Sequence, residues 1–164
     1  MVVKMCIDKN GNPLYVDVFD VEPFSLIQHE EGNNASELVE GLSFMGSSFY
    51  APWMLGLAEG LKFKKNLTFI TLNEVLSYSN DTIKKTFVKR TANIEYVMNV
   101  EGIEYVNNIK CYKVQINGVM TTEGFIGVAP KMQMTYWIDV NKRIIIKARE
   151  YANENLPIAE INKI

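Results

Sequence analysis

The chain has 164 residues, 48% hydrophobic and 22% charged, a composition suited to one globular domain and far from that of a disordered segment. A net charge of −2 and an isoelectric point near 5.5 give no electrostatic footprint for nucleic acid or an anionic membrane. The longest uncharged stretch, residues 41–58, contains Gly46, Ser47, Ser48, Pro52 and Gly56, and so reads as a broken wet-and-dry segment rather than a membrane span.

Residues 2–21 alternate around Asn10-Gly11-Asn12-Pro13, and Asn-Gly between apolar runs is the strongest short hairpin signal. Strands are expected at about 2–8 and 14–21, with residues 24–28 continuing the second after a bend at Pro23. A polar loop from His29 to Asn34 follows. Asn34 with Glu37 three residues on has the spacing of a helix-start capping box. Leu38, Leu42, Met45 and Phe49, widened by Val39, then form a helical stripe. Gly46-Ser47-Ser48 weakens that helix and Ala51-Pro52 kinks it, leaving a short second helical piece over 52–58 that Gly60 stops.

Residues 66–72 read as a strand and 73–81 as a turn or short helical excursion. Residues 86–101 alternate cleanly, with Val88, Ala92, Ile94, Tyr96, Met98 and Val100 on one face and Lys89, Thr91, Asn93, Glu95, Asn99 and Glu101 on the other. Such alternation belongs to an antiparallel sheet with one solvated side. Gly102 permits a bulge, and Asn107-Asn108 makes a two-residue turn between strands at 103–106 and 109–117. Residues 120–128 form a ragged strand. Residues 131–140 place Met132, Met134, Tyr136 and Ile138 inward, and after a turn at Asn141-Lys142 the return strand 143–151 sets Ile144, Ile146 and Ala148 on the dry side. The tail after Asn153 reads as a loosely docked extension.

The predicted fold is therefore α+β: a curved, mostly antiparallel sheet, a half-barrel of about eight strands, wrapped around a kinked central helical segment in one domain spanning residues 1–164. Met45, Phe49, Tyr50, Trp53 and Met54 on that segment would face Met98, Met132, Met134 and Tyr136 on the strands. Methionine and aromatic side chains adapt to irregular shapes, so Met45, Phe49, Trp53, Met98, Met132, Met134 and Tyr136 are the candidate lining of a cup for a lipid or acyl chain. On the residues alone, the simpler reading of the same set is a filled core.

The run Gly102-Ile103-Glu104-Tyr105-Val106-Asn107-Asn108-Ile109-Lys110-Cys111-Tyr112-Lys113-Val114, followed by Tyr136-Trp137-Ile138-Asp139 and a return strand, resembles the lipoprotein carrier and receptor half-barrels (the LolA/LolB-like superfamily) over about residues 86–151. That resemblance implies an open antiparallel half-barrel around helices, an apolar cavity for lipid or lipidated protein, and an extracytoplasmic or cell-surface setting. Only one hairpin stands before the helix, and Met5 to Asn10 shares Ile-Asp-x-Asn with Tyr136 to Asn141, so the chain is expected to be a domain of something longer.

Nothing in the sequence calls for catalysis, a cofactor or a metal. His29 beside Glu30 and Glu31 reads as a solvated loop, since neighbouring side chains do not converge on a metal. Asp8 and Asp139 stand at turn entrances, where aspartate caps backbone amides, and an acid–base pair is the lesser alternative. No phosphate-cradling glycine motif or serine-nucleophile motif is present. The lysine clusters Lys62, Lys64, Lys65 and Lys84, Lys85, Lys89, Arg90 read as solvated faces. Cys6 and Cys111 either pair or are separate thiols.

Overall fold

The computed structural model describes residues 1–22, 24–44, 50–153 and 156–162, with side chains described through residue 150. Among the described residues, strands β1 (Val2–Ile7), β2 (Pro13–Asp20) and β3 (Ser25–Glu31) precede helix α1 (Gly32–Phe44) and a 3-10 helix, Pro52–Gly56. Strands β4 (Lys62–Ser79), β5 (Thr82–Val106), β6 (Ile109–Thr122), β7 (Lys131–Asp139), β8 (Ile145–Asn153) and β9 (Leu156–Asn162) follow. β1–β2–β3 form one antiparallel sheet, and β4 to β9, in sequence order, form a second antiparallel sheet that curls into a half-barrel.

Turn chemistry explains why the strands stop where they do. Asn80-Asp81 and Asn107-Asn108 all have positive φ, between 49° and 62°, the backbone twist that closes two-residue hairpins between β4 and β5 and between β5 and β6. Asp8 and Asp139 build a shared kind of turn. The Asp8 Oδ1 accepts from the Asn10 and Asn12 amides at 2.8 Å each, and the Asp139 Oδ1 accepts from the Asn141 and Lys142 amides at 2.7 and 2.9 Å. In each, the aspartate carbonyl also accepts from the amide three or four residues on, at 3.0 Å from Gly11 or Arg143. The Ile-Asp-x-Asn echo is thus one local solution used twice.

The core lies between the sheets. Val16 and Val18 of β2, Leu38 and Val39 of α1, Phe69 of β4, Met98 of β5, Ile116 of β6 and Ile138 of β7 belong to one buried cluster. α1 approaches β4 so closely that a methyl group added at Gly41 would lie 2.5 Å from the Phe69 ring. Two polar ties join the sheets: the Gln28 amide donates to the Ile70 carbonyl at 2.9 Å, and the Lys85 ammonium meets the Asp20 carboxylate at 2.7 Å.

Several expectations are corrected. The single sheet of about eight strands is two sheets of three and six, and the helix sits between them rather than inside one wrap. Residues 73–81 are no turn or helical excursion: β4 continues through Ser79 and pairs with β5 down to Ser79–Thr82, since Val75, Leu76 and Tyr78 favour extended backbone and Asn80-Asp81 supplies the reversal. The ragged strand over 120–128 ends at Thr122. The tail after Asn153 is not loosely docked, because β9 pairs with β8.

On the return strand the register shifts between Trp137 and Ile138, so Ile145 enters the main core while Ile146 packs on the opposite side with Cys111 and Trp137. A shift between Val100 and Gly102 turns β5 over in the same way, where the glycine allows a bulge. His29 to Glu31 belongs to β3, not to a loop. The bend at Pro23, the weakening at Gly46-Ser47-Ser48 and the stripe positions Met45 and Phe49 lie outside the described residues.

Candidate functional site

Alternation on β5 and β7 delivers the expected residues to the inner face: Met98, Met132 and Tyr136 are 0%, 8% and 3% exposed, and Met134 is half-buried against the same cluster. The 3-10 helix supplies Trp53, 8% exposed, because Pro52 starts the turn and aims the indole back toward the sheet. Trp53 and Tyr136 rings stand 5.9 Å apart, tilted by 58°, and Phe44 stacks near Trp53 at 6.3 Å. Trp53, Met98, Met132 and Tyr136 therefore belong to one buried cluster. Met45 and Phe49 lie outside the described residues.

Polar handles fix this packing. The Trp53 indole N–H donates to the Ser43 Oγ at 3.3 Å, the Tyr136 hydroxyl donates to the Ser43 carbonyl at 3.2 Å, and the Ser43 hydroxyl donates to the Glu40 carbonyl at 2.6 Å. One turn back on α1, the Glu40 side chain is 4% exposed. Its carboxylate accepts from the Tyr96 hydroxyl at 2.5 Å and the Lys65 ammonium at 2.6 Å. Burial, with the Glu40 charge behind it, pushes the Tyr96 hydroxyl far above its ordinary pKa, and burial does the same to Tyr136.

Sequence reasoning missed Glu40, and with it the role of Lys65, which is no solvated lysine but the counter-ion of a buried carboxylate. One signal was available: Glu40 follows Val39 and precedes Leu42 on the apolar side of the helix, where a charge demands a partner.

Asp8 and Asp139 are spent on their turns and sit on separate sheets. The Asn12 backbone amide is the main cause of the lowered Asp8 pKa. His29 is more engaged than a loop histidine. Residues two apart share a strand face, so Glu31 does reach it, at 3.1 Å, and Asp17 of β2 meets its other ring nitrogen at 2.6 Å. Chiefly the Asp17 hydrogen bond, then Glu31, raises the His29 pKa. No group of three or more metal-ligating side chains is assembled among the described residues. Cys6 and Cys111 are both free thiols, and burial pushes the Cys111 pKa up to about 11, so it is an inert core residue.

On the outer face of the half-barrel, Trp137 heads a second buried cluster with Cys111 and Ile146. Its indole N–H donates to Glu104 at 2.8 Å, which holds that carboxyl below its usual range, and Lys147 and Arg149 lie over the ring at 5.2 and 5.7 Å. Among the described residues no helix is long and apolar enough to cross a membrane. No protein-family model, curated protein or solved structure matches the chain.

Proposed function

We propose that the chain is a non-catalytic structural or interaction domain whose half-barrel is filled by its own side chains. One observation carries this reading: Trp53, Met98, Met132 and Tyr136, the residues best suited to line a cup, are all nearly fully buried. Trp53 and Tyr136 are also pinned to Ser43 by hydrogen bonds. A ligand entering there would have to displace a packed core and leave buried polar groups unpaired, which costs about 1–3 kcal/mol for each such group. The turn roles of Asp8 and Asp139 support the absence of acid–base chemistry.

Titration with a fluorescent fatty acid tests the proposal. A filled core gives no saturable signal, whereas saturable binding that Trp53→Ala enlarges would overturn it. A second reading, an apolar ligand held in the half-barrel as the lipoprotein-carrier resemblance implies, is favoured by Met134. That side chain is only half-buried at the margin of the cluster, with its sulfur 2.9 Å from the Tyr136 hydroxyl. The same titration would then show binding weakened by Met134→Ala.

A further inference from the structure

The β4–β5 hairpin outruns the rest of its sheet. β5 pairs with β6 only from Ala92 onward, so residues 71–79 of β4 and 82–91 of β5 run on as a two-stranded ribbon. Every residue from 73 to 86 is exposed. Such a ribbon is marginal in water by itself, because both its margins carry unpaired backbone groups. The two margins differ. On β5, Glu123 closes the base: its amide donates to the Thr91 carbonyl at 2.8 Å, and its carboxylate accepts from the Thr91 amide at 3.3 Å. Further out that strand carries Lys84, Lys89 and Arg90, and lysine on an edge discourages strand addition.

On β4 the margin is open. The Ile70 carbonyl points away from β5, to the Gln28 amide, and the Val75 carbonyl points toward β5, to the Thr86 hydroxyl. Alternation then aims the backbone N–H and C=O of Leu72, Glu74, Leu76 and Tyr78 outward. Among the described residues no strand pairs with that margin. Its one charge, Glu74, is matched by Lys85 at 3.3 Å, while Leu76 and Tyr78 are 47% and 75% exposed.

We infer that this margin of β4 pairs, antiparallel and about a two-fold axis at Val75, with the same margin of a second copy of the chain. The sequence is self-complementary in that register. Val75 meets Val75, Tyr78 meets Leu72, Ser77 meets Asn73, Ser79 meets Thr71 and Glu74 meets Leu76. Each outward residue then stands opposite another outward residue, and the two exchange both backbone bonds. Neighbouring registers fail. A shift one way sets Glu74 against Glu74 and calls on the Ile70 carbonyl that Gln28 occupies. A shift the other way sets Leu72 against Asn80, inside the positive-φ turn. The antiparallel sense places each body at the other's ribbon tip, and pairing ends where Gln28 caps the β4 edge. The product is a four-stranded sheet, β5–β4–β4–β5, whose outer margins are the cationic ones. The inference names a partner for the interaction role proposed above and rests on that role, not on the filled core.

Sedimentation velocity of the full chain tests it. So short an interface suits a dissociation constant on the order of 100 µM, and the mass should rise from 18.7 kDa at about 10 µM toward twice that at about 1 mM. Leu76→Pro removes an outward N–H and no ladder bond to β5, so it should leave the melting curve unchanged and weaken association about tenfold or more. Under mild oxidation Val75→Cys should cross-link to itself, since residues facing each other in a non-hydrogen-bonded pair lie about 4.5 Å apart at Cα. Ser77→Cys should stay at the wild-type background set by Cys6 and Cys111, because its counterpart lies about 13 Å along the strand. A chain monomeric at about 1 mM, a dimer that Leu76→Pro leaves intact, or cross-linking by Ser77→Cys as ready as by Val75→Cys would each overturn the inference. A monomer would leave the fatty-acid titration as it stands, and a bound fatty acid would leave the dimer as it stands.

Discussion

Tyr96→Phe removes one hydroxyl and leaves the ring, with its contacts to Phe44 at 4.9 Å and Phe63 at 6.1 Å, in place. The lost bond is the 2.5 Å donation to Glu40, whose side chain is 4% exposed, so water cannot substitute freely. A hydrogen bond to a charged group is worth about 1.5–3 kcal/mol. For a chain of 164 residues that converts to a fall in melting temperature of about 3–12 °C. Lys65→Met should cost less than removing a fully buried counter-ion, because the Lys65 side chain is 44% exposed and solvent replaces part of its charge. In a Glu40→Gln background, Tyr96→Phe should cost only about 0.5–1.5 kcal/mol, since the acceptor is no longer charged. Thermal unfolding of the four chains in this cycle decides the matter. A melting temperature for Tyr96→Phe within 1 °C of wild type, or an equal loss in both backgrounds, would refute the buried Glu40–Tyr96 bond as a determinant of stability.

Three further outcomes are expected. Gly118→Ala would set a methyl group 2.6 Å from the Glu95 carbonyl oxygen and 2.9 Å from the Tyr96 Cβ, so chemical denaturation should show a loss of about 1–3 kcal/mol from overpacking. Asp139→Ala leaves the Asn141 and Lys142 amides without their acceptor at a part-buried turn and should cost about 1.5–3 kcal/mol by the same assay; Asp8→Ala, in an exposed turn, should cost clearly less. Because the folded-state pKa of His29 is raised, its contribution is complete below the unfolded value of about 6.5 and is lost as pH rises through the folded value. Denaturation midpoints across that window should fall with rising pH in wild type and fall less in His29→Gln.

Local chemistry was the legible part of the chain. Alternation placed Ala92, Ile94, Tyr96, Met98 and Val100 on the buried face of β5, and the Asn10-Gly11 and Asn107-Asn108 pairs marked real reversals. Register was harder to read. The shift between Trp137 and Ile138 moves Ile145 into the core and Ile146 out of it, and no pattern of apolar residues distinguishes the two when Ile144, Ile145 and Ile146 are consecutive.

Tertiary pairing was not legible either. Whether Lys65 is solvated or bonded to Glu40 depends on how α1 lies over β4, a contact between residues 25 apart in the chain. The division into two sheets had the same origin, since a hairpin signal says nothing about which sheet the hairpin joins.

Native mass spectrometry of the purified chain, sprayed under conditions that retain apolar ligands, tests the central claim most directly. A half-barrel filled by Trp53, Met98, Met132 and Tyr136 predicts one bare species at 18.7 kDa. A stoichiometric adduct of lipid mass, removed by organic solvent and restored by adding lipid back, would contradict it.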